Sequence, residues 1–146
     1  MSPTSTPYFE VRHRVGFEET NLVGNVYYVN HLRWQGRCRE MFLAEKAPEV
    51  AREVTRGLAL ATVRCACDYF AELEAFDVVA IRMRLSSVRQ NRIDLLFEYW
   101  RVKDGAEELI AKGEQQIACM RRDGDRTVPT PVPKALAAAL AEYGAG

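Results

Sequence analysis

The sequence predicts an α+β domain in which one curved, mostly antiparallel sheet of five or more strands wraps around a long central helix. Three observations predict this fold. A first alternating stretch is followed by one long helical pattern, and four further stretches then alternate apolar and polar residues with a period of two. Short turns join the last three of these stretches, so neighbouring strands run antiparallel. A chain of 146 residues has room for one such core.

Three segments are predicted along the chain. Residues 1–7 are polar and lack the basic start and apolar centre of a signal peptide, so we expect a disordered tail. Residues 8–128 are predicted to form the domain itself. Residues 129–146 begin with a proline-rich segment, which cannot continue a strand ladder, and end in a short helix from Ala135 to Tyr143.

The first half of the chain is predicted to hold one strand and a two-part helix. Tyr8 to Val15 alternates apolar and polar side chains, as a half-buried strand does. Helical spacing of apolar residues then runs from Asn30, a good N-cap residue, to about Lys46. Pro48 interrupts the helix, and Glu49 to Arg56 restarts it as a short second helix, which Gly57 ends.

The second half is predicted to hold the other four strands of the sheet. Each alternates with a period of two, and several are long, which favours a large curved sheet. Asp104-Gly105 is a typical hairpin turn, and Arg122 to Asp125 closes the last strand. The four strands are Leu60 to Tyr69, Val78 to Gln90, Ile93 to Lys103 and Glu108 to Met120.

Composition argues against several classes of function. Twenty basic residues balance twenty acidic ones, so the chain has no overall attraction to nucleic acid or to an anionic membrane. The sequence contains no run of about 18 apolar residues, the length needed to span a bilayer, and we expect a cytoplasmic protein. Sixteen of the basic residues are arginine. Arginine binds phosphate well, but a biased codon usage would give the same excess.

The four cysteines show neither the spacing of a metal site nor that of a disulfide framework. We therefore expect no metal or other cofactor. Cys38 lies between two arginines, which favours a reactive thiolate, but the sequence pairs no base with it. Reduced, buried side chains are predicted at Cys38, Cys65, Cys67 and Cys119.

One stretch carries most of the chemical information. It reads Thr-Asn-Leu-Val-Gly-Asn-Val-Tyr-Tyr-Val-Asn-His-Leu-Arg-Trp over residues 20–34 and Arg-Cys-Arg-Glu-Met-Phe-Leu over residues 37–43. Gly24 allows a tight bend before the helix, because glycine has no Cβ to oppose a positive φ. A helix start is suited to binding an anion or a developing oxyanion, since its first N–H groups carry about half a positive charge.

This stretch resembles the signature of hotdog-fold acyl thioesterases of the 4-hydroxybenzoyl-CoA thioesterase class, and it is most similar to the thioesterases that accompany enediyne polyketide synthases. The resemblance extends from Tyr8 to Cys119. It implies a single hotdog domain and a homo-oligomer, either a dimer or a dimer of dimers (a homotetramer), with active sites at subunit boundaries. An open sheet edge, which proteins usually pair or shield, favours the same assembly.

The resemblance also implies a reaction. It is the hydrolysis of a polyene β-ketoacyl thioester bound to the acyl carrier protein domain of a polyketide synthase, which yields a β-keto acid able to lose CO₂. Three alternatives remain open: a general acyl-CoA thioesterase, a non-catalytic acyl-binding module and, more weakly, a dehydratase. A dehydratase usually relies on a histidine with an acid, and the sequence places no such pair.

Both acids that the resembling thioesterases use are absent here. The acid of the loop before the helix is replaced by Asn21, and the glutamate on the helix by Gly36. Because general base catalysis contributes about 10²- to 10⁴-fold, we expect a slow but real hydrolase. Asn21 would hold the water, and the backbone N–H groups of Tyr27 and Tyr28 would polarise the thioester carbonyl. Alternatively, Asn21 is a turn residue.

Two arginines on the helix are candidates for the cation of the site. Arg39 lies three residues beyond Gly36 and shares its face, whereas Arg37 is turned about 100° away. We therefore predict that Arg39 orients Asn21 or a substrate carbonyl, with Arg37 as a secondary substrate contact. Gly36 would leave room for the substrate chain, or for close packing of helix and strand. The alternative for Arg39 is an ion pair with Glu10, Glu40 or Glu45.

Apolar side chains on several elements are candidates for an acyl tunnel, although core packing explains each of them as well. They are Tyr27, Tyr28, Leu32, Trp34, Phe70, Met83 and Leu85. Coenzyme A and a carrier's phosphopantetheine arm both bring a phosphate. A second set of residues, all arginines, is a candidate for binding this phosphate. The alternative is that these arginines form a solvated face. This set is Arg82, Arg84, Arg89 and Arg92. His13 is predicted to be a hydrogen-bonded core histidine, and His31 to have no catalytic role.

Overall fold

The computed structural model describes residues 7–144, and most of the predicted N-terminal tail lies outside the described residues. The predicted α+β fold, a single hotdog domain, is confirmed. In chain order the elements are β1 (Phe9–Arg14), a short 3₁₀ helix (Phe17–Glu19), α1 (Val29–Lys46), α2 (Pro48–Val54), β2 (Leu58–Tyr69), β3 (Val78–Arg89), β4 (Arg92–Lys103), β5 (Ala106–Asp123), β6 (Arg126–Pro129) and α3 (Lys134–Ala141).

Within the described residues, one sheet of six strands forms the body of the fold. Its strands lie in the order β1-β3-β4-β5-β2, β6 pairs with the end of β5, and each neighbouring pair is antiparallel. β1 and β2 are therefore its edges. The β4–β5 turn follows the prediction, because Asp104 and Gly105 both have positive φ, 52° and 80°. Helix α1 packs on one face of the sheet, and the core lies between them.

Apolar packing and two buried hydrogen bonds join α1 to the sheet. Gln35 is fully buried, and its Nε2 donates to the carbonyl oxygen of Ala66 on β2 at 3.0 Å. Tyr99 on β4 donates its hydroxyl to the carbonyl oxygen of His31 at 2.7 Å. These bonds fix the helix along its axis. The buried apolar side chains of α1 are Trp34, Cys38 and Phe42.

The start of α1 differs from the prediction. Asn30 is not the N-cap residue, because the helix begins at Val29 and Tyr28 precedes it without a side-chain capping bond. Asn30 instead lies buried in the first turn, where its Nδ2 donates to the carbonyl oxygen of Glu19 at 2.9 Å. The side chain ties the helix to the preceding loop, a long-range contact that capping preferences do not reveal.

The end of the sheet also differs, since the turn at residues 122–125 leads into a further strand. β5 continues to Asp123, turns at Gly124 (φ +63°) and pairs with β6, which ends at Pro129. A strand of 4 residues is too short for alternation to identify. Helix α3 follows and packs against the core with three buried side chains. They are Leu136, Ala139 and Leu140.

Two of the four cysteines are not buried as predicted. Cys38 and Cys119 lie in the core, but Cys67 is half-buried and Cys65 is exposed. Both of the latter lie on β2, whose position at the edge of the sheet leaves its middle exposed. Alternation within a strand does not show whether that strand lies at an edge. All four thiols are free.

Candidate active site

The loop between β1 and α1 is organised around the partly buried carboxylate of Glu19. It accepts hydrogen bonds from the Gly16 N–H at 2.8 Å and from Trp34 Nε1 at 3.0 Å, and His13 Nε2 lies 2.7 Å from its Oε1. Burial alone would raise its pKa, but the bonds from Gly16, His13 and Trp34 hold the pKa of Glu19 below its usual value. Glu19 is therefore an ionised anchor for the loop.

This arrangement corrects one statement made from the sequence. His13 and Glu19 do form a histidine–acid pair, which residue spacing does not reveal because the strand end and a 3₁₀ turn lie between them. Both oxygens of Glu19 are already hydrogen-bonded. The pair supports the loop and is not the free acid and base that a dehydration needs.

Asn21 lies exposed in the same loop, in an Asx turn. Its Oδ1 accepts the Val23 N–H at 3.0 Å, and its carbonyl oxygen accepts the Gly24 N–H at 3.0 Å. Gly24 has a φ of +91°, as the predicted bend requires. The turn engages Oδ1, so Nδ2 is the group that Asn21 leaves for a substrate or a water. Asn21 is thus a turn residue whose Nδ2 donates to no acceptor in the described part of the chain.

Of the two backbone donors predicted for the thioester carbonyl, one is occupied. The Tyr27 N–H donates to the carbonyl oxygen of Glu19 at 2.9 Å. The Tyr28 N–H has no acceptor among the described residues, and it lies at the start of α1, where the helix dipole favours negative charge. Tyr69 holds Tyr28 in place, since its hydroxyl donates to the Tyr28 carbonyl oxygen at 2.7 Å. The correction leaves Tyr28 as the backbone donor.

Arg39 is a half-buried cation. Its Nη1 donates to Thr62 Oγ1 and to Gln115 Oε1, each at 2.9 Å. Burial lowers its pKa, and the charge of Glu40 opposes this effect, but a guanidinium stays protonated in proteins. Among the described residues Arg39 forms no ion pair, so the predicted alternative of a carboxylate partner is not seen.

Arg39 lines two cavities. One is a groove of about 560 Å³ along α1, which Gly36 and the exposed Arg37 also line. Apart from the backbone of its own helix, a Cβ built on Gly36 would meet no atom within 4 Å, so this glycine leaves open space and does not serve close packing of helix and strand. The other is an apolar pocket of about 10 Å³ between α1, the sheet and α3. Its walls include Phe42, Met83, Leu95, Ile117 and Leu136.

The residues predicted to line one acyl tunnel do not share a cavity. Met83 lines the apolar pocket, whereas Trp34 lines the groove and binds the loop anchor. Leu32 is half-buried, and Phe70 is 58% exposed. Leu85 belongs to the β3 segment that hydrogen-bonds to the chain after α3. Of the aliphatic and aromatic candidates, Met83 is therefore the one beside an apolar pocket.

The arginines around the β3–β4 hairpin do not form a phosphate site. Three of them are ion-paired to carboxylates on other strands of the sheet. The alternation of β3 places Arg82 on the face that α1 does not cover. A paired guanidinium is not available to a ligand, and Arg92 lies exposed at the turn. The pairs are Arg82 with Glu10 and Glu107, Arg84 with Glu98, and Arg89 with Asp94.

Two buried side chains of α1 are not reactive. His31 is 3% exposed, and the rings of Trp34, Tyr69 and Tyr99 surround it. Neither ring nitrogen has a side-chain hydrogen-bond partner within residues 7–144. Burial lowers the pKa of His31 to about 4, so the ring is neutral at pH 7 and a weak base. Burial likewise raises the pKa of the Cys38 thiol to about 12, which disfavours the thiolate that a nucleophile requires.

The groups that remain for chemistry are two hydrogen-bond donors and a cation. They are the Tyr28 N–H, Asn21 Nδ2 and the Arg39 guanidinium. Between residues 7 and 144, no group of three or more His, Cys, Asp or Glu side chains is placed to hold a metal ion. No helix in that range is long and apolar enough to cross a membrane. Donors and a cation of this kind stabilise an oxygen that becomes negative.

Comparison with known proteins decides the family. Residues 15–140, most of the chain, match the family model of the Thioesterase-like superfamily. The chain belongs to this superfamily. The prediction of a thioester hydrolase is confirmed at this level. A search of curated proteins finds no match to this thioesterase.

Solved structures agree with this assignment. The dynemicin thioesterase is 48% identical to this thioesterase, with a TM-score of 0.93 over 96% of this chain and 99% of that one. Crystal structures of that protein reveal induced-fit and allosteric effects upon polyene binding. A thioesterase superfamily protein from Jannaschia sp. CCS1 is 29% identical, with a TM-score of 0.79 over 95% and 86%. The 4-hydroxybenzoyl-CoA thioesterase of Pseudomonas sp. strain CBS-3, 20% identical with a TM-score of 0.77 over 90% and 98%, shares the fold.

Sequence reasoning missed three residues that position the site of this thioesterase. Glu19 anchors the loop, and Thr62 and Gln115 hold Arg39. Gln115 had a detectable signal, because alternation places it among the inward-facing apolar residues of β5, where a polar side chain is unusual. Thr62 had none, since a register shift in β2 follows it and disturbs the alternation.

Proposed function

We propose that this thioesterase hydrolyses a polyene β-ketoacyl thioester bound to the acyl carrier protein domain of an enediyne polyketide synthase. The observation that carries the proposal is the position of Arg39, a cation that lines both an open groove and an apolar pocket. A β-ketoacyl thioester has matching parts, namely a head with two carbonyl groups and a long apolar chain. The 48% identity to the dynemicin thioesterase, described with polyene binding, supports this class of substrate.

The proposed reaction is the addition of water to the thioester carbonyl carbon. The oxygen that becomes negative accepts hydrogen bonds from the Tyr28 N–H and from Asn21 Nδ2. The C–S bond then breaks, the water loses a proton to solvent, and the leaving thiolate takes one up. Without a carboxylate base the reaction is slower by about 10²- to 10⁴-fold. Arg39 binds the β-keto oxygen, which becomes an enolate oxygen when the product acid loses CO₂.

In this proposal a second copy of the chain completes the site. Tyr28, which immediately precedes α1, and Arg39 on α1 are eleven residues apart. This separation is roughly 16 Å along the helix axis and too far for one thioester head. The edge strand β2, with Val63 46% exposed, can pair with its copy across a two-fold axis. Such a dimer, alone or within a dimer of dimers, can bring the helix start of one protomer toward Arg39 of its partner.

The test is single-turnover hydrolysis of one β-ketoacyl chain, delivered on coenzyme A and on a phosphopantetheinylated carrier protein. Wild type is compared with Asn21→Ala and Arg39→Ala, and with Arg52→Ala, which removes an exposed arginine of α2. We expect slow release that favours the carrier. The rate should fall about 10²-fold in Asn21→Ala, because one oxyanion donor is lost, and comparably in Arg39→Ala. Arg52→Ala should match wild type.

Thermal unfolding of each variant verifies that it folds. Unchanged rates in both site variants would remove the assignment of Asn21 and Arg39. Release that favours coenzyme A would identify a general acyl-CoA thioesterase. No release above background, with the acyl chain still bound, would identify a non-catalytic acyl-binding module.

A further inference from the structure

We infer that Arg33 and Arg37 on α1 bind the phosphate of the phosphopantetheine arm that carries the thioester. This inference rests on the proposed function and names the part of the substrate that is held away from the reacting carbonyl. The two arginines are four residues apart, about one helical turn, and both are exposed and line the groove along α1. A pair of guanidinium forks at this spacing can enclose one phosphate.

Neither arginine is engaged by a carboxylate in the described part of the chain. The hydrogen bond of Arg33 is long, 3.5 Å from Nη1 to Asn30 Oδ1, and Arg37 makes no ion pair or side-chain hydrogen bond there. Two carboxylates line the groove, those of Glu19 and Glu40. Glu19 is occupied by its loop contacts. Glu40 is therefore the remaining carboxylate of the groove against its three arginines, Arg33, Arg37 and Arg39, and a net positive charge remains for an anion.

The spacing along α1 fits the arm. Arg33 and Arg37 lie roughly 7 and 13 Å along the helix axis from Tyr28, whose N–H is proposed to bind the thioester oxygen. A phosphopantetheine arm separates its phosphate from its sulfur by an extended chain with two amide units, which spans a distance of this order. Gly36 lies beside both arginines, and the open space over it leaves a path for the arm.

Binding of the arm itself tests the site without turnover. Isothermal titration calorimetry compares 4′-phosphopantetheine with pantetheine, which lacks the phosphate, on wild type, on the Arg33→Gln, Arg37→Gln double variant and on Arg52→Gln. We expect wild type and Arg52→Gln to bind the phosphorylated arm about tenfold more tightly. The double variant should bind both compounds equally weakly. A preference for the phosphorylated arm that persists in the double variant, or is absent from wild type, would overturn the inference.

Kinetics connects the site to the substrate and identifies its source. In the double variant, KM should rise about tenfold for the acyl chain on coenzyme A, on the carrier or on both, with kcat unchanged. Which carrier responds identifies where the phosphate comes from. KM should not change for the same chain on N-acetylcysteamine, which has no phosphate. An equal rise for this phosphate-free thioester would overturn the inference. If wild type hydrolyses no thioester, the proposed function fails, and the calorimetry still decides the phosphate site.

Discussion

The side-chain amide of Gln35 on α1 occupies the space into which a Cβ of Gly113 on β5 would project. Gln35 is fully buried, and its Nε2 donates to the carbonyl oxygen of Ala66 on β2. Gly113 is on β5, which lies between β2 and β4 in the sheet, and it is opposite Cys67 and Phe97. The missing side chain at one position therefore allows a buried polar contact that fixes the helix over the sheet.

Gly113→Ala is expected to destabilise the protein by about 1–3 kcal/mol, because the new methyl group displaces Gln35 from its hydrogen bond with Ala66. Urea unfolding followed by circular dichroism measures the change. A free energy of unfolding equal to that of wild type would mean that the helix shifts without cost.

Gly36→Ala gives the opposite expectation and serves as the matched glycine control. Apart from the backbone of its own helix, a Cβ at Gly36 meets no atom within 4 Å, so alanine should stabilise α1 by up to about 1 kcal/mol through its higher helix propensity. The same urea titration measures this gain. A loss of stability would show that a second protomer packs closely against this position.

Glu19→Gln is expected to destabilise the protein by about 1–3 kcal/mol. The neutral amide has one acceptor oxygen for the Gly16 and Trp34 N–H groups, and its NH₂ group faces other donors. Urea unfolding at pH 7 measures the loss, with Glu49→Gln, an exposed position on α2, as the control. A loss no larger than that of the control would show that the loop does not depend on the carboxylate.

His31 predicts how stability changes in mild acid. Its pKa is lowered from 6.5 to about 4 by burial, so between these values the unfolded chain binds the proton and the folded chain does not. The free energy of unfolding should therefore fall as the pH is lowered from 6.5 toward 4, by up to about 3 kcal/mol. Carboxylates with lowered pKa values, such as Asp94 and Glu98, also stabilise the folded state, but they lose this contribution only at lower pH, where they become protonated.

The measurement is urea unfolding at about pH 7.0, 5.5 and 4.5. These values cover most of the pH range over which the free energy of unfolding should depend on His31. His31→Phe fills the same aromatic surroundings without a titrating group and should abolish most of the slope. An unchanged slope in this variant would assign the acid sensitivity to other groups.

Val63→Lys tests the proposed pairing of β2 with a second copy. A lysine in the middle of an edge strand opposes strand pairing, so we expect a larger monomer fraction in sedimentation velocity at micromolar concentration. Val54→Lys, at another exposed valine on α2, is the control and should keep the wild-type distribution. Equal distributions for the two variants would place the interface elsewhere.

The strands and the long helix could be predicted because their signals are local. Period-two alternation located β2 to β5 within a few residues, and helical spacing with a proline located α1 and α2. Edge position is not local. The exposure of Cys65 follows from the place of β2 in the sheet order, and β6 exists because it pairs with β5, so neither could be read from its own segment.

The candidate site could be predicted in part for the same reason. Asn21 and Tyr28 belong to a contiguous motif, and Arg39 follows Gly36 at helical spacing. Partners far apart in sequence could not be predicted. Gln115 lies 76 residues beyond Arg39, and the Arg82–Glu107 ion pair that removes Arg82 from phosphate binding joins different strands. Charge composition predicts that such pairs form, but not which residues form them.

The near absence of free volume in the apolar pocket between α1 and α3 has a consequence for the timing of product release. A volume of about 10 Å³ holds no acyl chain, so the side chains that line the pocket must separate before any chain enters, and this separation has a free-energy cost. The gain from burial, by contrast, grows by about 0.8 kcal/mol with each CH₂ group. On the proposed function, short elongation intermediates do not recover the cost of opening, whereas a full-length chain does. A synthase partnered with this thioesterase would thereby keep its unfinished chains.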